Sequence, residues 1–280
     1  MRPIWITADD YGLHEVVNTA IERLAAAGQI SAAAIMVHDG AALAGLARLR
    51  ATPVATGLHL VLTQERPVLA RLVGTALAPD GHLPDSPYAL TRLLLRRPQL
   101  RGLLADELAA QLDRYQALGL PLDFLNSHEH AHEVPVLWPL VAPLVERRRP
   151  AAVRGAHVQP VTASRQGALA LLSRASQRTY QPRAAHQVLS PLGAGQAGAL
   201  RLTELDELLT RALRWHDRTD AVPELVMHPA IDDAPLHARY GDRAGARRAE
   251  YDLLRSPAAA ALWRRHGVTI HGEPAVARAA

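Results

Sequence analysis

Residues 126–132 read NSHEHAH, which sets His128, His130 and His132 at alternate positions with Glu129 between the first two. In an extended segment, side chains at i, i+2 and i+4 point to one side, so the three imidazoles would crowd together. In a helix, His128 and His132 would instead form an i, i+4 pair. Both arrangements suit a divalent metal, or a single ligand whose ring is steadied by its neighbours, and spacing alone does not choose between them. A solvated histidine-rich loop is the plain alternative. Four other places carry side chains of comparable chemical reach: Asp9 and Asp10 in TADDYGL, His59 in GLHL, Arg154 in AAVRG and His228 in ELVMHP. Taken singly, each has an ordinary explanation. Paired acids after a strand commonly cap or charge the first turn of a helix, and a lone histidine such as His59 is more often a hydrogen-bonded core residue. Because the chain has no cysteine, any metal must be bound through His, Asp or Glu.

These residues share a place relative to the elements that must carry them. PIWIT is β-branched and aromatic and breaks into ADDYG, a strand ending in a polar turn. LHEVVNTAIERLAAAGQ follows, with Val16, Ala20, Ile21, Leu24 and Ala25 on one helical face and Gly28 as its stop. SAAAIMV (31–37), PVATGLHLVL (53–62), LDFLNSH (122–128), AAVRG (151–155), PELVMHP and GVTIHG read as further strands. AALAGLARL, residues 88–119, VLWPLVAPLVERR, LDELLTRALRWH and RRAEYDLLRSPAAAALWRRH read as helices. Strand and helix alternate nearly throughout, which predicts an α/β fold on a parallel sheet, either barrel or open. On such a sheet Asp9, Asp10, His59, His128, Arg154 and His228 all fall at carboxyl ends of strands, the edge where ligands and catalytic groups collect. Scattered surface histidines would have no reason to keep that placement. Residues 63–87 and about 156–200 read as loop excursions, and long connections at such an edge serve binding. LGAGQAG at 192–198 is expected not to follow a strand and lacks lysine, so it is not read as a phosphate loop.

Composition narrows the class further. At 280 residues, 49% of them hydrophobic, the chain is expected to form one domain, 1–280, with a full core. Its basic residues are all arginine, spread along the chain, and the net charge is only +4, so no nucleic-acid partner is expected. No apolar run reaches membrane-span length. MRPIWITADD meets two acids too early for a signal peptide, and a soluble, cytoplasmic protein is the expectation.

Taken in order, TADDYGL, GLHLVLT, LNSHEHAH, VR and ELVMHP resemble the YdjC-like family of carbohydrate deacetylases. That family includes the chitooligosaccharide deacetylase and the deacetylase associated with hopanoid biosynthesis. The resemblance runs from residue 4 into RRAEYDLLRSPAAAALWRRHGVTI, and TGLHLVLTQERPVL with ELAAQLDRYQALGLPLDFLNSH looks closest to the hopanoid-associated branch. It implies a distorted (β/α) barrel related to polysaccharide deacetylases, with mainly parallel strands. It implies a divalent metal, zinc ahead of magnesium, held by Asp10, His59 and His128, with Asp9 as general base and His228 as general acid. Arg154 would keep Asp9 ionised and oriented. His130 and His132 would support the site or touch substrate, with His132 first in line for promotion to ligand. The implied substrate is an N-acetylated amino sugar, as an oligosaccharide or a sugar-lipid such as an N-acetylglucosaminyl hopanoid, and a homodimer is the assembly considered. Thr7, Asn126, Glu129, Ala131 and Ala230 depart from common family residues; none removes a proposed ligand or catalytic group.

Two rival classes stand beside this reading. A glycoside hydrolase needs two carboxyls roughly 5–9.5 Å apart across a sugar, and adjacent acids fit one shared metal site better. A non-catalytic sugar-binding protein would have no use for the full acid–base and metal set.

Overall fold

The two-residue alternation of a strand lays out the whole molecule. The computed structural model describes residues 2–40, 43–155, 187–192, 200–216 and 222–270. In it, β1 (Arg2–Tyr11) sends Ile4, Ile6 and Ala8 into an outer apolar layer and Trp5 into a separate inner cluster. Next come β2 (Ala32–Ile35), β3 (Ala55–Leu60), β4 (Phe124–Ser127), β5 (Ala152–Arg154), β6 (Gln187–Leu192) and β7 (Val222–Met227). They pair in that order, all parallel, and β1 joins β7 to β2 so that seven strands close a barrel. β8 (Val268–Ile270) lies outside the ring, paired with Arg2–Ile4 at the start of β1. The distorted (β/α) barrel expected from the sequence is the fold.

The barrel interior is narrow and its residues are small. Ala32, Ala34, Ala55 and Ala152 leave room for Trp5 and for Phe124, the chain's single phenylalanine, whose rings meet edge to face at 6.0 Å. A Cβ on Gly57 would lie 2.5 Å from the Phe124 ring, so glycine is required there by close approach.

Parallel strands need crossovers, and helices supply most of them. They are α1 (Glu15–Ala26), α2 (Leu46–Arg50), α3 (Pro87–Arg96), α4 (Leu100–Ala117), α5 (Trp138–Arg148), α6 (Leu202–His216), α7 (Ala234–Tyr240), α8 (Arg247–Arg255) and α9 (Pro257–His266). α1 buries Val17, Ala20, Ile21 and Leu24 on the barrel wall and starts where His14 Nδ1 accepts the Val16 N–H at 3.2 Å. Among the described residues no helix is long and apolar enough to cross a membrane.

Two expectations need correction. The 156–200 excursion contains β6, a full barrel strand, and LGAGQAG therefore does follow a strand. QVLSPL carries a proline and a serine that weaken its strand pattern; pairing to β5 and β7 on both sides overrides that local weakness. α7 was also not anticipated, because Pro235 and His237 interrupt its apolar spacing. Residues 156–186 and 193–199 of the same excursion lie outside the described residues. The 63–87 excursion is an ordered connection that buries Leu72, Leu77, Ala78 and Leu83.

Candidate active site

Followed toward their carboxyl ends, the inward positions turn from apolar to polar. Trp5 gives way to Thr7 and Asp9, Ala55 to Gly57 and His59, Phe124 to Asn126, Ala152 to Arg154, and Val222 to Glu224 and then His228. One register thus brings the candidate residues to one mouth. Asp10 breaks the rule, since strict alternation would turn it away from Asp9. The β1 register against β2 shifts between Ala8 and Tyr11, and Asp10 has φ +71°. This bulge in the left-handed region turns both acids into the mouth.

Asp10, His59 and His128 are buried, and one potential ligand atom from each lies within 4.8 Å of the others. Asp10 Oδ1 is 3.1 Å from His59 Nε2 and 2.9 Å from His128 Nδ1. The ring tautomers follow from the outer partners. Asn126 Nδ2 donates to Asp9 at 3.0 Å, so its Oδ1 accepts from His59 Nδ1 at 2.7 Å. Gln64 Nε2 donates to Glu129 at 2.8 Å, so its Oε1 accepts from His128 Nε2 at 3.3 Å. In its neutral form each imidazole then turns a bare nitrogen to Asp10. His59 Nε2 is buried there with no hydrogen-bond partner. A divalent ion fits this donor set: one carboxylate and two neutral imidazoles with their far nitrogens braced.

Asp9 is held apart from that trio. Arg154 Nη1 and Nη2 donate to its two oxygens at 2.6 and 3.0 Å. The same guanidinium donates to Glu224 at 2.9 and 2.8 Å, and Thr7 Oγ1 donates to Glu224 at 2.6 Å. Burial would raise the Asp9 carboxyl, but the Arg154 charge, then His59, outweigh it and hold Asp9 well below the usual carboxylate range. Asp10 is likewise held low despite its burial, by His128 and Arg247. Burial opposes a charge on His128, yet the Asp10 carboxylate raises its pKa. His228 sits with Nε2 3.9 Å from Asp9 Oδ2, and its backbone N–H donates to Glu250 at 2.6 Å. Burial holds its imidazole down to about 3, so in the resting site it is neutral near pH 7.

The histidine run adopts neither of the two forms open to it from sequence. His128–Glu133 is a 3-10 turn with Glu129 and His130 in the left-handed region, and it separates the three rings. Of the three, His128 alone joins Asp10 and His59. His132 accepts from Ser127 Oγ at Nδ1 (2.6 Å) and donates from Nε2 to the Arg154 carbonyl (3.1 Å). Both its nitrogens are engaged and burial holds it down to about 4, so His132 staples β4 to β5. His130 bonds Glu133 at 2.9 Å and stays partly exposed at the rim.

Sequence reading missed Gln64, Glu224, Arg247 and Glu250 as site residues. Glu224 carried a signal, a lone charge inside an apolar strand, and Arg247 and Glu250 share one helical turn in RRAE. Gln64 carried none; it reaches His128 across 64 positions.

Residues 3–265 match the family model described as "YdjC-like protein". The chain is 27% identical over 266 residues to a carbohydrate deacetylase of Vibrio parahaemolyticus, which covers 94% of this chain and 92% of that one. It is 32% identical over 145 residues to a carbohydrate deacetylase of Geobacillus stearothermophilus, and 31% identical over 142 residues to a chitooligosaccharide deacetylase of Serratia marcescens. Those two matches span only about half the length of the relatives, 56% and 53%. In fold, the chain superposes with a TM-score of 0.73 on a crystal structure from Enterococcus faecalis provisionally assigned as a cellobiose-phosphate cleavage protein. That structure is 19% identical, with 98% of this chain and 97% of the other covered.

Proposed function

The chain belongs to the YdjC-like family, and from that membership we propose that it is a metal-dependent hydrolase removing the acetyl group from an N-acetylated amino sugar. The observation that carries the reading is the divided mouth. His59 and His128 turn bare nitrogens to Asp10, while Arg154 and Asn126 hold Asp9 apart as an ionised carboxylate. The names of the Vibrio, Geobacillus and Serratia relatives support the substrate class.

Amide hydrolysis has two difficulties, a weakly electrophilic carbonyl and a strongly basic leaving amine. A divalent ion held by Asp10, His59 and His128 supplies Lewis acidity toward the carbonyl and makes water nucleophilic at neutral pH. The mixed nitrogen and oxygen donors suit zinc, with magnesium second because it prefers oxygen. Asp9 accepts the proton of the attacking water; Arg154 keeps it ionised and aims it. His228 starts neutral, receives that proton from the Asp9 side, 3.9 Å away, and delivers it to the amine. Because Asp9 is tied to Arg154 and Asp10 faces the imidazoles, the acids do not form the opposed pair of a glycoside hydrolase.

Beside His128 lies a cavity of about 260 Å³ lined by Gln64, Glu65, His82, Asp85, Arg239 and Tyr240. Its polar groups suit sugar hydroxyls. Buried Glu65 braces it, accepting from Tyr240 at 2.7 Å and Arg239 at 2.5 Å. Four of its residues come from the 63–87 connection, which supports a substrate-shaping role for that loop. The substrate is either an oligosaccharide or a sugar-lipid such as an N-acetylglucosaminyl hopanoid.

The test is metal analysis joined to acetate release from a panel of N-acetylated oligosaccharides and glycolipids. Asp10→Ala is expected to strip metal and activity together. Normal metal content in that variant, or no acetate from any amino sugar with the metal-loaded protein, overturns the reading.

A further inference from the structure

The metal and proton chemistry above makes no use of Arg247, yet this residue touches the heart of the site. It opens α8 and is buried; Nη1 donates to Asp10 Oδ2 at 2.8 Å and Nε to the Ala244 carbonyl at 3.1 Å. Three residues on, the buried Glu250 carboxylate accepts the N–H groups of His228 at 2.6 Å and of Leu200 at 3.2 Å. α8 is therefore fastened to the mouth by a second, separate anchor, and the guanidinium is delivered to a fixed place.

The two oxygens of Asp10 consequently face different partners. Oδ1 looks at His59 Nε2 and His128 Nδ1, and Oδ2 belongs to Arg247. We propose that Arg247 is a positioning residue that confines Asp10 to ligation through one oxygen, keeping a coordination position of the ion open for substrate. This rests on the reading of Asp10, His59 and His128 as the metal site. A free carboxylate binds a cation through one oxygen or both. A charge-assisted bond from a guanidinium occupies the second oxygen, and its positive charge opposes a cation on that side. A catalytic site needs an open position, and a second carboxylate oxygen would fill it.

Removing Arg247 then moves affinity and turnover in opposite directions. The ion gains an oxygen and loses a neighbouring positive charge, so it binds at least as tightly. Substrate loses its place, so turnover falls. Loss of packing alone would act differently, because a loosened Asp10 binds metal more weakly.

The experiment is cobalt(II) titration of metal-free protein followed by visible absorption, with kinetics on the same preparations. Arg247→Met keeps the apolar stem, Arg247→Lys keeps the charge with a single donor group, and Asp10→Ala is the control. For Arg247→Met the visible band is expected to weaken as coordination number rises. Cobalt affinity should hold or tighten, and kcat/KM should fall about tenfold or more. Arg247→Lys should recover part of the band. Weaker cobalt binding in Arg247→Met that tracks a lower unfolding midpoint would overturn the proposal, as would a wild-type band with wild-type kcat/KM. If Asp10→Ala binds cobalt like the wild type, the metal assignment itself fails, an outcome distinct from one confined to Arg247.

Discussion

Replacing Arg154 by methionine should cost most of what holds the barrel mouth together. The guanidinium is completely buried between two carboxylates, with bonds of 2.6 and 3.0 Å to Asp9 and 2.9 and 2.8 Å to Glu224. Methionine keeps the apolar stem and removes the charge. Asp9 then retains the Asn126 amide, and Glu224 the Thr7 hydroxyl, which do not neutralise two buried anions. Removing one partner of a buried ion pair costs about 3–5 kcal/mol. Here two anions are stranded, so the upper part of that range applies, unless a carboxyl escapes by taking a proton. The pH dependence follows from that escape. In the wild type Asp9 is depressed, so its contribution is present above the unfolded value of about 3.9 and is lost as pH falls through the folded value. In Arg154→Met the largest opposition to burial is gone, the Asp9 carboxyl rises relative to the wild type, and the penalty is relieved as it protonates. The gap between the two proteins should therefore be widest near pH 7 and narrow on acidification. Urea unfolding of the metal-free proteins, followed by far-ultraviolet circular dichroism at neutral and mildly acidic pH, measures it. Adding Glu224→Gln should restore part of the loss by removing one stranded charge. A cost below about 1 kcal/mol at pH 7, the level of a surface pair, or a gap that widens in acid, would refute the reasoning.

Other expected outcomes follow from the same geometry. Asp9→Asn keeps the shape but leaves one acceptor oxygen for the donors that meet Asp9 and cannot take a proton, so it should retain metal and lose about two to four decades of turnover; an apo variant would mean that the two aspartates exchange roles. His228→Ala should lose far more activity on an N-acetyl amino sugar than on an aryl acetate, whose phenolate leaves without a proton, and equal losses on both would remove His228 as the acid. Gly57→Ala drives a methyl against the Phe124 ring and should destabilise by about 1–3 kcal/mol without changing metal content, read as a lower unfolding midpoint. Shortening the 63–87 connection, which lines the cavity beside His128, should change which acetylated sugar is accepted while metal stays bound; unchanged selectivity across the panel counts against that role.

Local periodicity made much of this protein legible in the residue order. The alternation of PIWIT, ATGLHL and PELVM with apolar helical faces specifies parallel strands joined by crossovers. A polar residue that ends such a strand must lie at the barrel mouth whatever the rest of the chain does. Asp9, His59, His128, Arg154 and His228 were readable for that reason. β6 was not, because QVLSPL is a weak strand by itself and becomes one through its two neighbours. Roles within the mouth belonged to tertiary structure altogether. Whether Asp10 joins Asp9 depends on a bulge set by register against β2, and which nitrogen His59 offers depends on Asn126, 67 positions away. His132 looked like a ligand by spacing; a left-handed turn at Glu129 and His130 gave its ring to Ser127 and the Arg154 carbonyl instead. Spacing along a chain reports which side of an element a residue takes, and that is a short-range property of the backbone. Protonation, tautomer and ligation are decided by partners that only the closed barrel brings within three ångströms or so, and Arg247, 237 residues from the Asp10 it holds, is the longest of those reaches.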